Sequence, residues 1–212
     1  MKNEEFFKKG LSDYQRFLKR CFDLFLSVIG VLIVFLPVLV MVLIATYSTG
    51  NFGLFRQERV GQYAKIFWML KIRTMTGSQP DEDFITLAGD VRITKFGRLL
   101  RKYKMDELPQ LWNVVRGEMS LVGPRPDVRG FADKLTGSER VLLSLKPGIT
   151  GPASIFYKNE EELLAGQENP VNFNKNVIWP NKVKMNIQYL ENWSLWKDIS
   201  YILRTFYNHK QQ

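Results

Sequence analysis

The chain has 212 residues, 45% of them hydrophobic, enough for one ordinary domain with a buried core. Thirty Lys and Arg against 21 Asp and Glu leave a formal charge of +9, a balance that favours anionic partners: nucleic acid, acidic lipid or a phosphorylated substrate. A single cysteine, Cys21, and a single histidine, His209, exclude an intramolecular disulfide, a thiolate zinc site and imidazole or thiol chemistry in the body of the chain. A reducing cytoplasm is the expected setting, and carboxylates are left to attack, move protons or hold a metal.

Phe7, Leu11, Tyr14 and Leu18 recur at helical spacing, opposite Lys8, Lys9, Asp13, Gln15 and Arg16. They predict an amphipathic helix over residues 1–19 that either lies on a membrane surface or packs on the globular part. Next comes Leu24–Ala45, roughly 22 residues without a charge, where about 20 suffice to cross the hydrocarbon core of a bilayer as a helix. The run is too long for the apolar region of a cleaved signal peptide and ends in Ala45-Thr46-Tyr47-Ser48, so it is expected to stay as an anchor. Lys19 and Arg20 on one side nearly balance Arg56 and Arg59 on the other, which leaves little positive-inside bias. Pro37, just past the middle, costs on the order of 3 kcal/mol in a straight helix. Two geometries satisfy these residues: a re-entrant helix-break-helix over residues 20–47, or a kinked single span.

Residues 48–212 are expected to form the soluble part. After a turn-rich exit at Ser48–Gly53, the run Ile66–Leu70 predicts one strand of a small sheet, with the remainder helical or looped. Gly77–Gly89 is polar and has the composition of a surface loop. Between Val91 and Met105, the stripe Ile93, Phe96, Leu100 and Tyr103 predicts a helix, with Arg92, Lys95, Arg98, Arg101, Lys102 and Lys104 around it. Such a basic face suits anionic head groups, or plain solvation, which is the better reading for Arg92, Lys95 and Lys102. From Lys182 to Asn208, Trp193, Trp196, Tyr201, Phe206 and Tyr207 alternate with charges and suit either a bilayer interface or an ordinary core. The fold class is mainly α with a small β element.

Asp106 and Glu107 follow the basic stripe, and Pro109 places a helix break or restart at the pair. Neighbours on a helix point about 100° apart, so two adjacent carboxylates suit different tasks better than one shared proton. A pair of charges at a helix start is the plain alternative. The surroundings favour chemistry: Pro124 and Pro126 stiffen the chain around Arg125, Lys146–Pro152 is a second rigid turn cluster, and Lys71 and Arg73 follow the predicted strand. Basic groups on rigid turns around carboxylates suit phosphoryl transfer, where positioning and charge neutralisation do most of the work.

Lys19-Arg-Cys-Phe-Asp23 before an apolar run with a central proline, Phe55-Arg-Gln-Glu-Arg-Val-Gly61, Lys71-Ile-Arg-Thr-Met75, Gly97-Arg-Leu-Leu-Arg101, Asp106-Glu-Leu-Pro-Gln-Leu-Trp-Asn113, Gly117-Glu-Met-Ser-Leu-Val-Gly-Pro-Arg-Pro126 and Pro147-Gly-Ile-Thr-Gly151 occur in that order. Together they resemble the bacterial sugar transferase family of small monotopic phosphoglycosyl transferases. The resemblance implies transfer of a sugar 1-phosphate from a UDP-sugar to undecaprenyl phosphate with release of UMP, the first membrane step of bacterial glycan assembly (polysaccharide, O-antigen or glycoprotein). It implies that Asp106 forms a covalent phosphosugar intermediate, that Glu107 helps to hold Mg²⁺, and that Arg101 and Arg125 contact phosphate. Lys71, Arg73 and Lys158 are further candidates for phosphate binding. It also implies a re-entrant anchor broken at Pro37, surface-lying helices among membrane lipids, and a catalytic domain on the cytoplasmic face of the inner membrane. A homo-oligomer is compatible with all of this.

The chain departs from the family pattern in two places. Leu36 rather than serine precedes Pro37, and Pro152–Asn159 replaces the family's usual continuation, with Lys158 near the place of an arginine. Lysine supplies charge there without a bidentate fork. The alternative reading, a catalytically silent membrane adaptor of a glycan-assembly complex, leaves the intact Asp-Glu pair and Arg125 without a purpose. Nucleic-acid binding rests on charge alone and is not expected.

Overall fold

Ser12 and Gln15 cap one another, the Gln15 N–H donating to the Ser12 hydroxyl and the Ser12 N–H to the Gln15 side chain, and this starts helix α1 (Asp13–Thr49). The structure, a computed structural model, describes residues 10–77 and 90–208, so Phe7, most of the expected surface loop and His209 lie outside the described residues. α1 runs for 37 residues and ends at Gly50, whose left-handed φ of 69° closes it. The helical run passes through both the joint expected at residue 19 and the break expected at Pro37. Proline removes only one backbone donor, and the turns on either side keep theirs.

A single stripe of α1 turns inward: Lys19, Asp23, Ser27, Met41, Ala45 and Thr49 are buried, and Gly30 lies against Leu111. Toward its start, the Arg20 guanidinium donates to the carbonyls of Val114 and Val115, and Asp23 accepts from the Ser120 hydroxyl and the Leu121 N–H. Toward its end, Met41 and Ala45 join Ile72 and Leu100 in one apolar cluster. Leu32, Ile33, Phe35 and Leu36 between these two regions are exposed. α1 is long and apolar enough to cross a membrane.

Beyond α1 the described chain is mostly helical with two small sheets. β1 (Leu54–Val60) and β2 (Ile66–Ile72) pair antiparallel, Leu54 opposite Ile72 and Val60 opposite Ile66. β3 (Ser120–Val122) and β4 (Gly148–Thr150) pair in parallel. Only β2 was expected from the sequence. β1 reads Leu-Phe-Arg-Gln-Glu-Arg-Val, too polar to signal a strand, and β3 and β4 are three residues each, paired across a long loop rather than by local pattern. Glycine makes the second pairing possible, since a Cβ on Gly148 would lie 2.1 Å from the Gly123 nitrogen.

The helices are α2 (Lys95–Lys102), α3 (Gln110–Arg116), α4 (Pro152–Phe156), α5 (Glu160–Ala165), α6 (Pro170–Phe173), α7 (Trp179–Glu191) and α8 (Leu195–Asn208), with a π-helical turn Asn174–Ile178 between α6 and α7. α2 is shorter than its stripe predicts because Thr94 caps it at Gly97 and Tyr103 ends it. Leu100 is its buried anchor, while Tyr103 is exposed. The largest core joins Val122, Leu142, Leu145, Val183, Tyr189, Leu190 and Trp193. The C-terminal aromatics therefore divide between the two expected uses: Trp193 is buried and Tyr201 packs on the core, whereas Trp196, Phe206 and Tyr207 stand exposed.

Candidate active site

Asp106 and Glu107 lie in one turn of 3₁₀ helix, Met105–Glu107, between α2 and α3. Lys104 enters that turn in the left-handed region, φ 52°, which reverses the chain at the end of α2 and turns both carboxylates inward. Behind the turn, Asn113 fixes α3 to β2. It is fully buried, its Nδ2 donates to the Trp68 carbonyl at 2.8 Å and to Glu118 at 2.7 Å, and its Oδ1 accepts from the Leu70 N–H at 3.0 Å. That clamp sets the last residues of β2 beside the dyad, and Lys71 is one of them.

The two carboxylates have different surroundings. Lys71 Nζ reaches Glu107 Oε1 at 3.1 Å and Arg125 Nη2 reaches the same oxygen at 2.8 Å. Burial works against ionising Glu107, yet Arg125, Lys71 and Lys104 together outweigh it and hold the carboxyl far below the usual carboxylate range. Glu107 in turn stabilises the Arg125 guanidinium. Asp106 is also buried, 7% exposed, but among the described residues no donor bonds to its carboxylate. Burial pushes its carboxyl up, and Glu107 adds to the rise against the pull of Lys71, Arg101 and Arg125. One neighbour is a fixed anion in a basic cage; the other is a free anion inside the same field.

Arg101, from the last turn of α2, donates its Nε to the Thr74 hydroxyl at 3.0 Å, and its Nη1 lies 3.5 Å from Glu161 of α5. Of the five basic candidates, Lys71, Arg101 and Arg125 thus gather around the dyad. Arg73 does not: its Nε donates to the Phe52 carbonyl and its guanidinium lies over the Phe55 ring, so it ties down the start of β1. Lys158 is exposed and makes no hydrogen bond or ion pair among the described residues. Lys104, which the sequence places on the basic face around the helical stripe, stands close enough to both carboxylates to interact with their charges, and burial lowers its own pKa. Its left-handed turn has no signal in the residue pattern.

Among the described residues no three His, Cys, Asp or Glu side chains converge as a metal cage. Mg²⁺ does not require one, because it is commonly held by one or two carboxylates, waters and substrate phosphates. The donor set here fits that mode: Glu107 Oε2 and the Asp106 carboxylate are free of protein hydrogen bonds, while Lys71 and Arg125 occupy Oε1.

A family model described as bacterial sugar transferase matches residues 14–212. Among curated relatives, a UDP-galactose-lipid carrier transferase of Erwinia amylovora is 35% identical over 90% of this chain, and an undecaprenyl-phosphate galactose phosphotransferase of Salmonella typhimurium is 32% identical over 90% of it. The chain spans 40% of the length of each of these two. An uncharacterized sugar transferase of Bacillus subtilis is 34% identical over 89% of this chain, which here covers 85% of the relative.

Proposed function

The chain belongs to the bacterial sugar transferase family, and on that premise we propose that it transfers a sugar 1-phosphate from a UDP-sugar to undecaprenyl phosphate. The relatives' names supply both substrates. The observation that carries the reaction is the contrast within the dyad: a buried, unbonded carboxylate beside one already neutralised by two cations.

In the first half-reaction an Asp106 oxygen attacks the phosphorus that bears the sugar. The phosphoanhydride P–O bond breaks, its electron pair leaves with UMP, and an acyl phosphate to the sugar phosphate forms on Asp106. In the second, an oxygen of the lipid phosphate attacks the same phosphorus, and the Asp106 oxygen leaves with its electron pair. Asp106 is suited to this because burial raises its basicity and no hydrogen bond must be broken before it attacks. Lys71, Arg101 and Arg125 surround the place where charge accumulates on the transferred group. Asp106 and Glu107 would hold Mg²⁺, which when bound supplies neutralising charge to the diphosphate.

A site that meets one substrate from water and the other from lipid belongs at a membrane surface, and we place it on the cytoplasmic face of the inner membrane with α1 re-entrant. Supporting that reading, both the first turns of α1 and its last turns pack on the same body, while its midsection is exposed. Tyr14, Phe17, Leu99, Tyr103, Trp112, Trp196 and Phe206 add exposed apolar surface suited to lipid.

The test is incubation of the purified protein with a panel of UDP-sugars and Mg²⁺ but no lipid. A sugar phosphate mass on the peptide that contains Asp106, with release of UMP, is expected for the right donor. No adduct and no UMP from folded protein across the panel would favour the adaptor reading instead.

A further inference from the structure

Arg59, at the end of β1, is a charged side chain that the dyad and its cage do not use. The Val60 N–H donates to the Asp127 carbonyl at 2.9 Å, and this backbone bond brings the end of β1 alongside the stiff turn Pro124-Arg-Pro-Asp127 that carries Arg125. Val60 is itself buried with Ala132 and Leu143, so the placement is anchored on both sides. Arg59 therefore stands in the field of Arg125, Asp127 and Glu107. Its Nη2 donates to Gln57 at 2.6 Å. Its Nε is buried and has no hydrogen-bond partner, and the guanidinium forms no ion pair among the described residues.

A buried guanidinium N–H without an acceptor costs the desolvation of that group, and more so because the group is charged. Placing a second guanidinium nearby adds repulsion, and burial with Arg125 lowers the pKa of Arg59 to about 10. Glu107 does not relieve it: its Oε1 takes Arg125 and Lys71, and neither of its oxygens bonds to Arg59. Both costs disappear when an oxyanion enters between the two forks, since a phosphate oxygen accepts from Nε–H and screens one guanidinium from the other.

We infer that Arg59 is a further substrate-contacting residue of this site, its Nε–H donating to a phosphate oxygen held jointly with Arg125. The ligand chemistry is a phosphate ester, supplied either by the diphosphate of the nucleotide sugar or by the monophosphate of the lipid acceptor. The inference rests on the reaction proposed above for the identity of those two sources. Its test reads binding rather than turnover, so either can fail while the other stands.

The experiment is calorimetric titration of the full chain in detergent micelles, once with UDP and once with a short-chain polyprenyl monophosphate, comparing wild type with Arg59→Gln. Loss of a charge-assisted hydrogen bond should weaken binding about 10- to 100-fold. Weakening for UDP alone assigns the position to the donor, for the lipid phosphate alone to the acceptor, and for both to a phosphate position used in each half-reaction. If both ligands bind the folded variant within about twofold of wild type, the inference is overturned. Should Arg59→Gln not fold, Arg59→Lys serves. It keeps the charge but lacks the Nε–H, so several-fold weakening is expected and unchanged affinity for both ligands refutes the assignment.

Discussion

Replacing Asp106 by Asn removes a buried charge that no protein donor holds, so the thermal midpoint should stay the same or rise while adduct formation falls by at least about three orders of magnitude. Glu107→Gln should do the reverse first. It strands the charges of Lys71 and Arg125, which costs about 3 kcal/mol, the low end for a buried pair because Arg125 is 40% exposed, and urea unfolding would register it. The acid limb of kcat/KM should lie above 3.8, the ordinary value for aspartate, because burial favours protonated Asp106. Stability has acid-range contributions of both signs, and Glu107 and Asp127 show one of each. Glu107 is held ionised, so its contribution is complete above its ordinary 4.5 and is lost as pH falls below that range. Asp127, pushed up to about 6 by burial, makes the native state the better proton binder between 3.8 and about 6, so its part of the stability declines as pH rises through that window. Urea midpoints of Asp127→Asn across the window should show a shallower decline, the remainder belonging to Asp106, which burial also raises; an unchanged slope would mean that Asp127 does not titrate there. These side chains were unequally legible. Asp106, Glu107, Lys71, Arg101 and Arg125 stand out by chemistry and motif, whereas Arg59 and Lys104 acquire their places only from a strand end and a left-handed turn.

The elements hold the site by close approaches that substitution can probe. A Cβ on Gly97 would lie 2.1 Å from the Thr74 carbonyl oxygen, so Gly97→Ala must push α2 away from the strand end and with it the bond from Arg101 to Thr74. A loss of about 2 kcal/mol and a raised KM for the donor are expected; an unchanged KM would show that α2 is not what positions Arg101. Asn113→Ala leaves the Leu70 N–H and the Trp68 carbonyl without their partner and should cost about 2 kcal/mol or more by chemical unfolding. Helices with an apolar stripe were visible in the residues, as was β2 with its run of large apolar side chains. β1 was not, since four of its seven residues are Arg, Gln, Glu and Arg and its partner alone makes it a strand. The sequence put a joint between residues 19 and 20, but Lys19, Asp23 and Ser27 on either side of it all face the body and are paired there or sit beside a carbonyl, so one helix passes through them.

At the scale of the molecule, the two ends of α1 are the test of how the chain meets a bilayer. Cysteines introduced at Gly10 and Asn51 in a Cys21→Ser background should both react with a membrane-impermeant reagent from the cytoplasmic side. Labelling of the two from opposite faces would exclude a re-entrant anchor. The start of α1 is also tied to the far end of the chain: Lys19 and Asp198, both buried, meet at 2.6 Å across 179 residues of sequence, and Tyr189 and Trp193 donate to the same carboxylate. This tie imposes an order on biosynthesis. The ribosome makes Lys19 first, and at 5–20 residues per second its counter-charge follows roughly 10 to 40 s later. Until then Lys19 lacks the carboxylate that receives it, so the seating of α1 is provisional until the residues around Asp198 have been made. A chain stopped before Leu195 should accordingly be cleared rapidly in a pulse-chase, although every residue of the dyad and its cage has already been made.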